Sequence, residues 1–278
     1  MMQMQESVAV RPGTSPPNPI RLHIFHTNDF HNHLDDAAAE RLRTAIRDLN
    51  GAPYLLLDAG DAIKAGNVDF NPFGEPILDR MSDLGYHAMT MGNREFHVWS
   101  GALATKINRA KFPVLSANVR PRKPGAALPV QPHRRLEVGG LQVAIFGVTV
   151  PMVTERSRAA PLSSFLFYSP IAAAQQQVRE LRYGADLLIA LTHIGLTRDK
   201  QLAEEVSGID LILGGHSHDT LAEPVVVNNT PIFQTGSHAR NFGHIVVEFR
   251  GDNPPPWSVA LHPLRETGSA KRQSDRRE

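Results

Sequence analysis

Residues 209–218, IDLILGGHSH, form an apolar segment that runs directly into two glycines and two histidines. Leu211, Ile212 and Leu213 are apolar in succession instead of alternating with polar residues. That is the pattern of a strand covered on both faces, which belongs to a sheet with helices on either side. Gly214 and Gly215 bare the backbone where the chain leaves the sheet. His216 and His218 alternate with a small residue there, as metal ligands at a strand end would.

The same design recurs along the chain. RLHIFHTND (21–29), PYLLLDAGD (53–61), HAMTMGN (87–93) and ADLLIALTH (185–193) are all strands that finish in polar residues. Between them lie helical patterns at 35–50, with Leu42, Ile46 and Leu49 on one face, and at 75–86, 98–110, 170–184 and 198–208. Residues 112–119 read as a further strand, and RPRKPGAALPVQP (120–132) as a solvated loop. RRLEVGG and LQVAIFGVTV pair as a hairpin across Gly139 and Gly140. From Pro224 to about Leu261 the chain alternates like antiparallel strands. Together these predict an α/β sandwich in one domain from Arg21 to Pro263, with the late strands and the hairpin forming a second sheet on the first. Residues 1–20 read as a disordered Pro-rich leader, and LRETGSAKRQSDRRE (264–278) as a disordered charged tail.

Composition narrows the partners. Lys and Arg number 29 against 28 Asp and Glu, so no polyanion-binding face is expected and a nucleic-acid polymer is a poor candidate. No cysteine is present, which excludes disulfides, thiolate metal sites and cysteine nucleophiles. No apolar run approaches the roughly 20 residues of a membrane span. The first residues carry neither a basic nor an apolar signal region. The expected location is therefore the cytoplasm, with the periplasm or the exterior as the alternative that the family resemblance described below implies.

Five strand ends finish in hard or borderline ligands: Asp29 with His31, Asp61, Asn93, His193, and His216 with His218. Strand carboxyl ends line the ligand crevice of open α/β folds, so these seven residues are expected to converge. Oxygen and nitrogen donors without sulfur suit two divalent ions of the Mn, Zn, Fe, Co or Mg class. A carboxylate shared between such ions keeps them ~3.5–4 Å apart and holds a hydroxide for in-line attack on phosphorus.

HTNDFH, LLLDAGD, YHAMTMGNREF, LSANV, ALTHIG, IDLILGGHSH and PIFQTGS together resemble the catalytic domain of the 5′-nucleotidase family, within the calcineurin-like metallophosphoesterases. Its relatives include UDP-sugar hydrolases, cyclic-nucleotide phosphodiesterases and thiosulfohydrolases. The resemblance covers residues 22 to about 249 and implies a four-layer α/β/β/α sandwich. It implies one ion on Asp29, His31 and His218, a second on Asn93, His193 and His216, and Asp61 between them. The implied activity is hydrolysis of phosphomonoesters or nucleotides. A thiosulfohydrolase, or a weakened metal or nucleotide sensor, stands as the alternative.

The sequence also departs from that family. Its third motif usually reads GNHEFD, with an aspartate also at the position of His87; here it reads GNREFH. Arg94 replaces a histidine near the phosphate, and His97 replaces the aspartate that orients it. A guanidinium binds a phosphoryl group bidentately but gives no proton at neutral pH, its pKa lying above ~12. His97 is then the expected acid, Arg94 the substrate clamp, and His87 a strand-edge residue. His238 and Arg240 in the QTGSHARN segment are further expected to face the substrate. The family's C-terminal, base-stacking domain is expected to be missing, which leaves specificity to a smaller substrate or to a separate partner.

Overall fold

The computed structural model describes residues 19–250 and 255–265. In chain order the elements are β1 (Ile20–Thr27), α1 (Asp36–Arg47), β2 (Tyr54–Asp58), α2 (Pro76–Leu84), β3 (Ala88–Thr90), α3 (Ser100–Ile107), β4 (Val114–Leu115) and β5 (Val119–Pro121). Next come β6 (His133–Val138), β7 (Leu141–Thr149), β8 (Phe165–Phe167), α4 (Pro170–Leu181), β9 (Leu187–His193), α5 (Leu196–Glu205) and β10 (Leu211–Leu213). The last four are β11 (Val225–Val227), β12 (Thr230–Phe233), β13 (Asn241–Phe249) and β14 (Trp257–Pro263). Helix starts follow local chemistry. Asp35 caps α1 by accepting from Ala38 N at 2.9 Å, and Ser169 with Pro170 opens α4.

Two six-stranded sheets face each other, in the orders β14-β13-β1-β2-β3-β4 and β11-β12-β10-β9-β7-β6. Side-chain alternation on the strands separates three apolar layers. Leu187, Ile189 and Leu191 of β9 point inward and meet Leu22, Ile24, Leu55 and Leu57 between the sheets. Leu188 and Ala190 point outward onto Ala173, Leu181 and Leu202 of α4 and α5. On the far side Phe25, Leu56 and Met89 pack under Leu42, Leu78, Met81 and Leu103 of α1, α2 and α3. Three apolar interfaces make four layers, so the expected α/β/β/α sandwich is the observed fold.

The late strands behave differently from expectation. They form no sheet of their own. β11 and β12 extend the second sheet, with β12 parallel to β10, while β13 and β14 cross to the first sheet. β13 runs antiparallel to β1 from Ile20↔Phe249 to His26↔Gly243, giving that edge a long partner which sequence alternation cannot specify.

The domain limits also shift. Ile20, read as leader, starts β1. Leu264, read as tail, is buried in the α1 layer, and its carbonyl accepts from Arg41 Nη1 at 2.6 Å. The remainder of the leader and tail, residues 1–18 and 266–278, lies outside the described residues. Among the described residues no helix is long and apolar enough to cross a membrane.

Candidate metal centre

Register brings the strand ends together. Thr27 of β1 pairs beside Asp58 of β2, Asp58 beside Met89 of β3, and Leu191 of β9 beside Leu213 of β10. The candidate ligands follow those ends by a few residues, from both sheets, at one edge of the sandwich. Asp29, His31, Asp61, His216 and His218 all hold left-handed backbone, with φ of 53°, 47°, 56°, 79° and 59°. For non-glycine residues each such conformation costs on the order of 1–3 kcal/mol, and such outliers cluster at functional sites. Five of them converging here is a stronger signal than any one motif.

Two groups of donors result. Asp29, His31 and His218 offer atoms all within 4.8 Å of one another, and so do Asp29, Asp61 and His193. His31 Nε2 lies 3.0 Å from His218 Nε2, and these lie 3.7 and 3.3 Å from Asp29 Oδ1. Asn93 Oδ1 lies 3.2 Å from His193 Nε2 and 2.9 Å from His216 Nδ1. His193 Nε2 is in turn 3.4 Å from Asp61 Oδ1. All seven expected ligands therefore belong to one connected cluster.

The donor set fits divalent cations on its hydrogen bonding as well. Asp29 Oδ2 accepts from Asn28 Nδ2 at 2.7 Å and His216 N at 2.9 Å, whereas buried Oδ1 accepts from nothing. A buried carboxylate oxygen without a donor is costly unless a cation occupies that side. His193 Nδ1 lies 2.6 Å from Ala59 O, the bond that turns Nε2 toward a cation. Without an ion, Asp61 and His193 stand as a buried ion pair, which a divalent cation at Nε2 would replace with release of the His193 proton. Burial pushes Asp61 up, but the charge and hydrogen bond of His193 outweigh it and hold Asp61 at about 2. Burial pushes His193 down, and Asp61 with Asp29 overcomes it, raising His193 to about 10. Burial holds His31 low, at about 4, which keeps it a neutral ligand.

The third motif is held by residues that the strand-end pattern did not single out. Glu95 is fully buried, and its carboxylate accepts from Asp61 N at 2.9 Å, Ile63 N at 3.2 Å and Gly92 N at 2.8 Å. It thereby ties the Asp61 turn to the Asn93 turn. Gly92 is obligatory at this crossing, because a Cβ there would collide with the backbone nitrogen and carboxylate of Asp61. Lys106, also fully buried, donates to Gly66 O, Arg94 O and Phe96 O at 2.6, 2.8 and 3.1 Å. Asn28 bridges the first motif to Thr235 N at 2.9 Å and Gly236 O at 2.6 Å. A buried Lys in an otherwise amphipathic helix and a carboxylate after Gly-Asn were the available sequence signals.

Arg94 and His97 stand in unlike places. Arg94 N donates to Asp61 Oδ1 at 2.7 Å, its Nε lies 3.7 Å from Oδ2, and Nη1 donates to Lys64 O at 2.8 Å. The guanidinium thus borders the cluster. His97, the expected acid, has both ring nitrogens committed to backbone: Nδ1 accepts from Trp99 N at 3.0 Å and Nε2 faces Val68 O at 3.3 Å. Its ring is buried between Phe70 and Trp99. His238 does border the cluster, with ring centroids 5.1 Å from His31 and 4.5 Å from His33. His33 on that rim is a residue the sequence did not mark. His87 accepts from Leu56 N at 3.0 Å and packs edge-on against Tyr54, as a strand-edge residue does.

The comparisons with known proteins agree with this architecture. The model of the calcineurin-like phosphoesterase family matches residues 22–220. The chain is 36% identical over 268 residues to the trifunctional nucleotide phosphoesterase YfkN of Bacillus subtilis, covering 82% of this chain and 18% of that protein. It is 32% identical over 254 residues to a snake venom 5′-nucleotidase of Naja atra, covering 79% of this chain and 46% of that one. Among solved structures, a 5′-nucleotidase precursor from Thermus thermophilus matches with a TM-score of 0.71 and 27% identity, over 87% of this chain and 54% of that one. The chain thus spans about half the length of these nucleotidases. Converging strand ends, a sulfur-free donor cluster and these matches agree: the chain belongs to the calcineurin-like phosphoesterase family, whose members use divalent metals.

Proposed function

We propose that the chain hydrolyses small phosphoesters, nucleotides among them, with two divalent ions held by Asp29, His31 and His218 on one side and by Asn93, His193 and His216 on the other. Asp61 stands between the two groups. The observation that carries this is the pairing of an unbonded, buried Asp29 Oδ1 with two imidazole Nε2 atoms within 3.7 Å. Bound ions would supply Lewis-acid charge and activated water for in-line displacement at phosphorus. Mn, Zn, Fe, Co and Mg all suit the oxygen and nitrogen donors.

The chain's own residues do the rest. Asp29 is held by Asn28 and His216 N, so its free oxygen is aimed without reorganisation. Arg94, anchored by Lys64 O, keeps part of its guanidinium exposed for a phosphoryl oxygen. Glu95 and Lys106 fix the loop carrying Asn93 and Arg94. His97 is reassigned from acid to support, because its nitrogens serve Trp99 and Val68. With no proton from Arg94 or His97, substrates whose leaving group departs as a stable anion are favoured.

The test is an assay of the full chain with Mn²⁺ on an aryl phosphomonoester, the matching aryl phosphodiester, a nucleoside monophosphate and thiosulfate-bearing substrates. Turnover of a phosphoester that chelation abolishes supports the proposal. Tight phosphate binding with no turnover of any phosphoester would replace it with the sensor alternative.

A further inference from the structure

The segment 214–221 carries His216 and His218, one for each proposed ion, yet residues 216–218 are exposed to solvent. Both histidines hold left-handed backbone, with φ of 79° and 59°. An exposed loop keeps such strained conformations only where its surroundings over-determine them. The residues that do so lie behind it and are buried: Thr192 and Asp199 are 0% exposed and Gln234 1%.

Gln234 follows β12, which runs parallel to β10 with Phe233 beside Leu213, so Gly214 and Gln234 leave the sheet side by side. Gln234 Nε2 donates to Asp199 Oδ2 at 3.2 Å and to Gly215 O at 3.3 Å, at the start of the loop. Its backbone carbonyl accepts from Leu221 N at 3.0 Å, at the far end. Two acceptors facing one amide nitrogen fix which way the amide is turned. Asp199, in the first turn of α5, accepts from Thr192 Oγ1 at 2.6 Å through its other oxygen. Thr192 precedes His193, so this line of bonds ties the end of β9 to the end of β10.

Ser217 closes the arrangement from the solvent side. Its Oγ accepts from Leu196 N at 3.0 Å, where α5 starts without a side-chain cap of its own. The same Oγ donates to Asp219 Oδ2 at 2.6 Å and lies 3.2 Å from Gln234 Oε1. The two glycines make room for these contacts. A Cβ on Gly214 would collide with Asp199 Oδ2, and one on Gly215 would stand 2.9 Å from Ala59 O and 3.0 Å from Asp29 Oδ2. Among the described residues neither Asp199 nor Gln234 hydrogen-bonds a candidate ligand side chain, so any effect on an ion passes through the loop.

We propose that Asp199 and Gln234 are positioning residues of the metal centre, bracing the 214–218 loop against β9 so that His193, His216 and His218 receive divalent cations without rearrangement. This rests on the two-ion centre proposed above. Outer partners that orient ligands in this way contribute about ten- to hundred-fold in metal affinity.

Calorimetric titration of the metal-free full chain with Mn²⁺ tests the brace without requiring turnover. Gln234→Leu keeps the bulk and removes the side-chain bonds, so Mn²⁺ affinity should fall roughly ten- to hundred-fold. Asp199→Leu should do the same, and the double variant should be no weaker than either alone, because both break one linkage. Asp199→Asn can still accept from Gln234 and can donate to Thr192 Oγ1, so it should keep most of the affinity. Amide exchange in metal-free Gln234→Leu should quicken at Leu196 and residues 214–218. Ser217→Ala, at an exposed position, should weaken Mn²⁺ binding in the same direction, and it carries the test where a buried variant fails to fold. Unchanged Mn²⁺ affinity in folded Gln234→Leu or Ser217→Ala, even with a lower Tm, would overturn the brace and leave phosphoester hydrolysis standing. Losses that add in the double variant would overturn it too. The expected losses in a chain that hydrolyses no phosphoester would support the brace and overturn the hydrolytic function instead.

Discussion

Arg94 Nε lies 3.7 Å from Asp61 Oδ2, so a fixed cation sits against the carboxylate placed between the two donor groups. That arrangement has opposing consequences for ion and substrate. The guanidinium competes with divalent cations for Asp61 and attracts a phosphoryl dianion to the same place. Arg94→Ala should therefore bind Mn²⁺ more tightly in calorimetry while losing kcat/KM on an aryl phosphate. A charged hydrogen bond contributes about 1.5–3 kcal/mol, so the loss should be roughly ten- to hundred-fold. Unchanged metal affinity and unchanged turnover would leave Arg94 without a role at the centre.

Glu95 holds the second and third motifs in place through three backbone N–H groups. In Glu95→Gln one acceptor oxygen becomes an NH₂ that faces donors within the fold. The expected cost is about 2–4 kcal/mol of stability, since a buried donor is left unpaired. Mn²⁺ affinity should fall as well, because the Asp61 turn is released. Thermal unfolding and metal titration of the purified variant read both effects; wild-type values in both would refute the splint.

His97→Ala separates an acid from a support. A missing general acid would steepen the dependence of kcat on leaving-group pKa across a series of aryl phosphates. His97 already gives both nitrogens to backbone, so the slope in His97→Ala should equal that of the unmodified chain. What should change is stability, because Trp99 N loses its acceptor and the ring no longer joins residues 68 and 99. A steeper slope in the variant would restore His97 to the acid role.

Acid should weaken the fold through two histidines outside the donor cluster. His244 stacks on Phe25 at 4.6 Å and pairs with His23 through ring nitrogens 2.9 Å apart; burial, then His23 and His262, holds it at about 4. His26 is fully buried with neither ring nitrogen hydrogen-bonded, and burial holds it at about 3. Both lie below the ordinary value of 6.5, so the unfolded chain takes up protons first as pH falls. Stability is therefore full above pH 6.5 and declines toward pH 4 for His244 and pH 3 for His26. Tm should drop over that window, and the drop should be shallower in His244→Phe, by on the order of 2–3 kcal/mol at most. Equal pH profiles would show that His244 is free to protonate in the fold.

Much of the candidate site was legible because its expected ligands sit within a few residues of apolar strand ends, and parallel register then carries them to one edge. Asp29, Asp61 and His193 follow from that rule alone. Long-range contacts made the rest unreadable. Glu95 reaches back to Asp61, 34 residues earlier, and His97 is claimed by Val68, 29 residues earlier. The ring nitrogens of the expected acid are taken up by backbone for that reason. The fold shows the same limit: alternation marked β12 and β13 as strands, but only packing sends one to β10 and the other across to β1. Leu264 sits beside charged residues in sequence and is nevertheless buried, held by Arg41 and Arg240.

The most direct test of the two-ion centre is a titration of the metal-free chain with Mn²⁺, followed by hydrolysis of an aryl phosphate at each addition. Activity should be absent without metal, rise to saturation at two ions per chain, and be lost at every ratio in Asp61→Ala. Activity that survives chelation, or that Asp61→Ala retains at saturating Mn²⁺, would contradict the assignment.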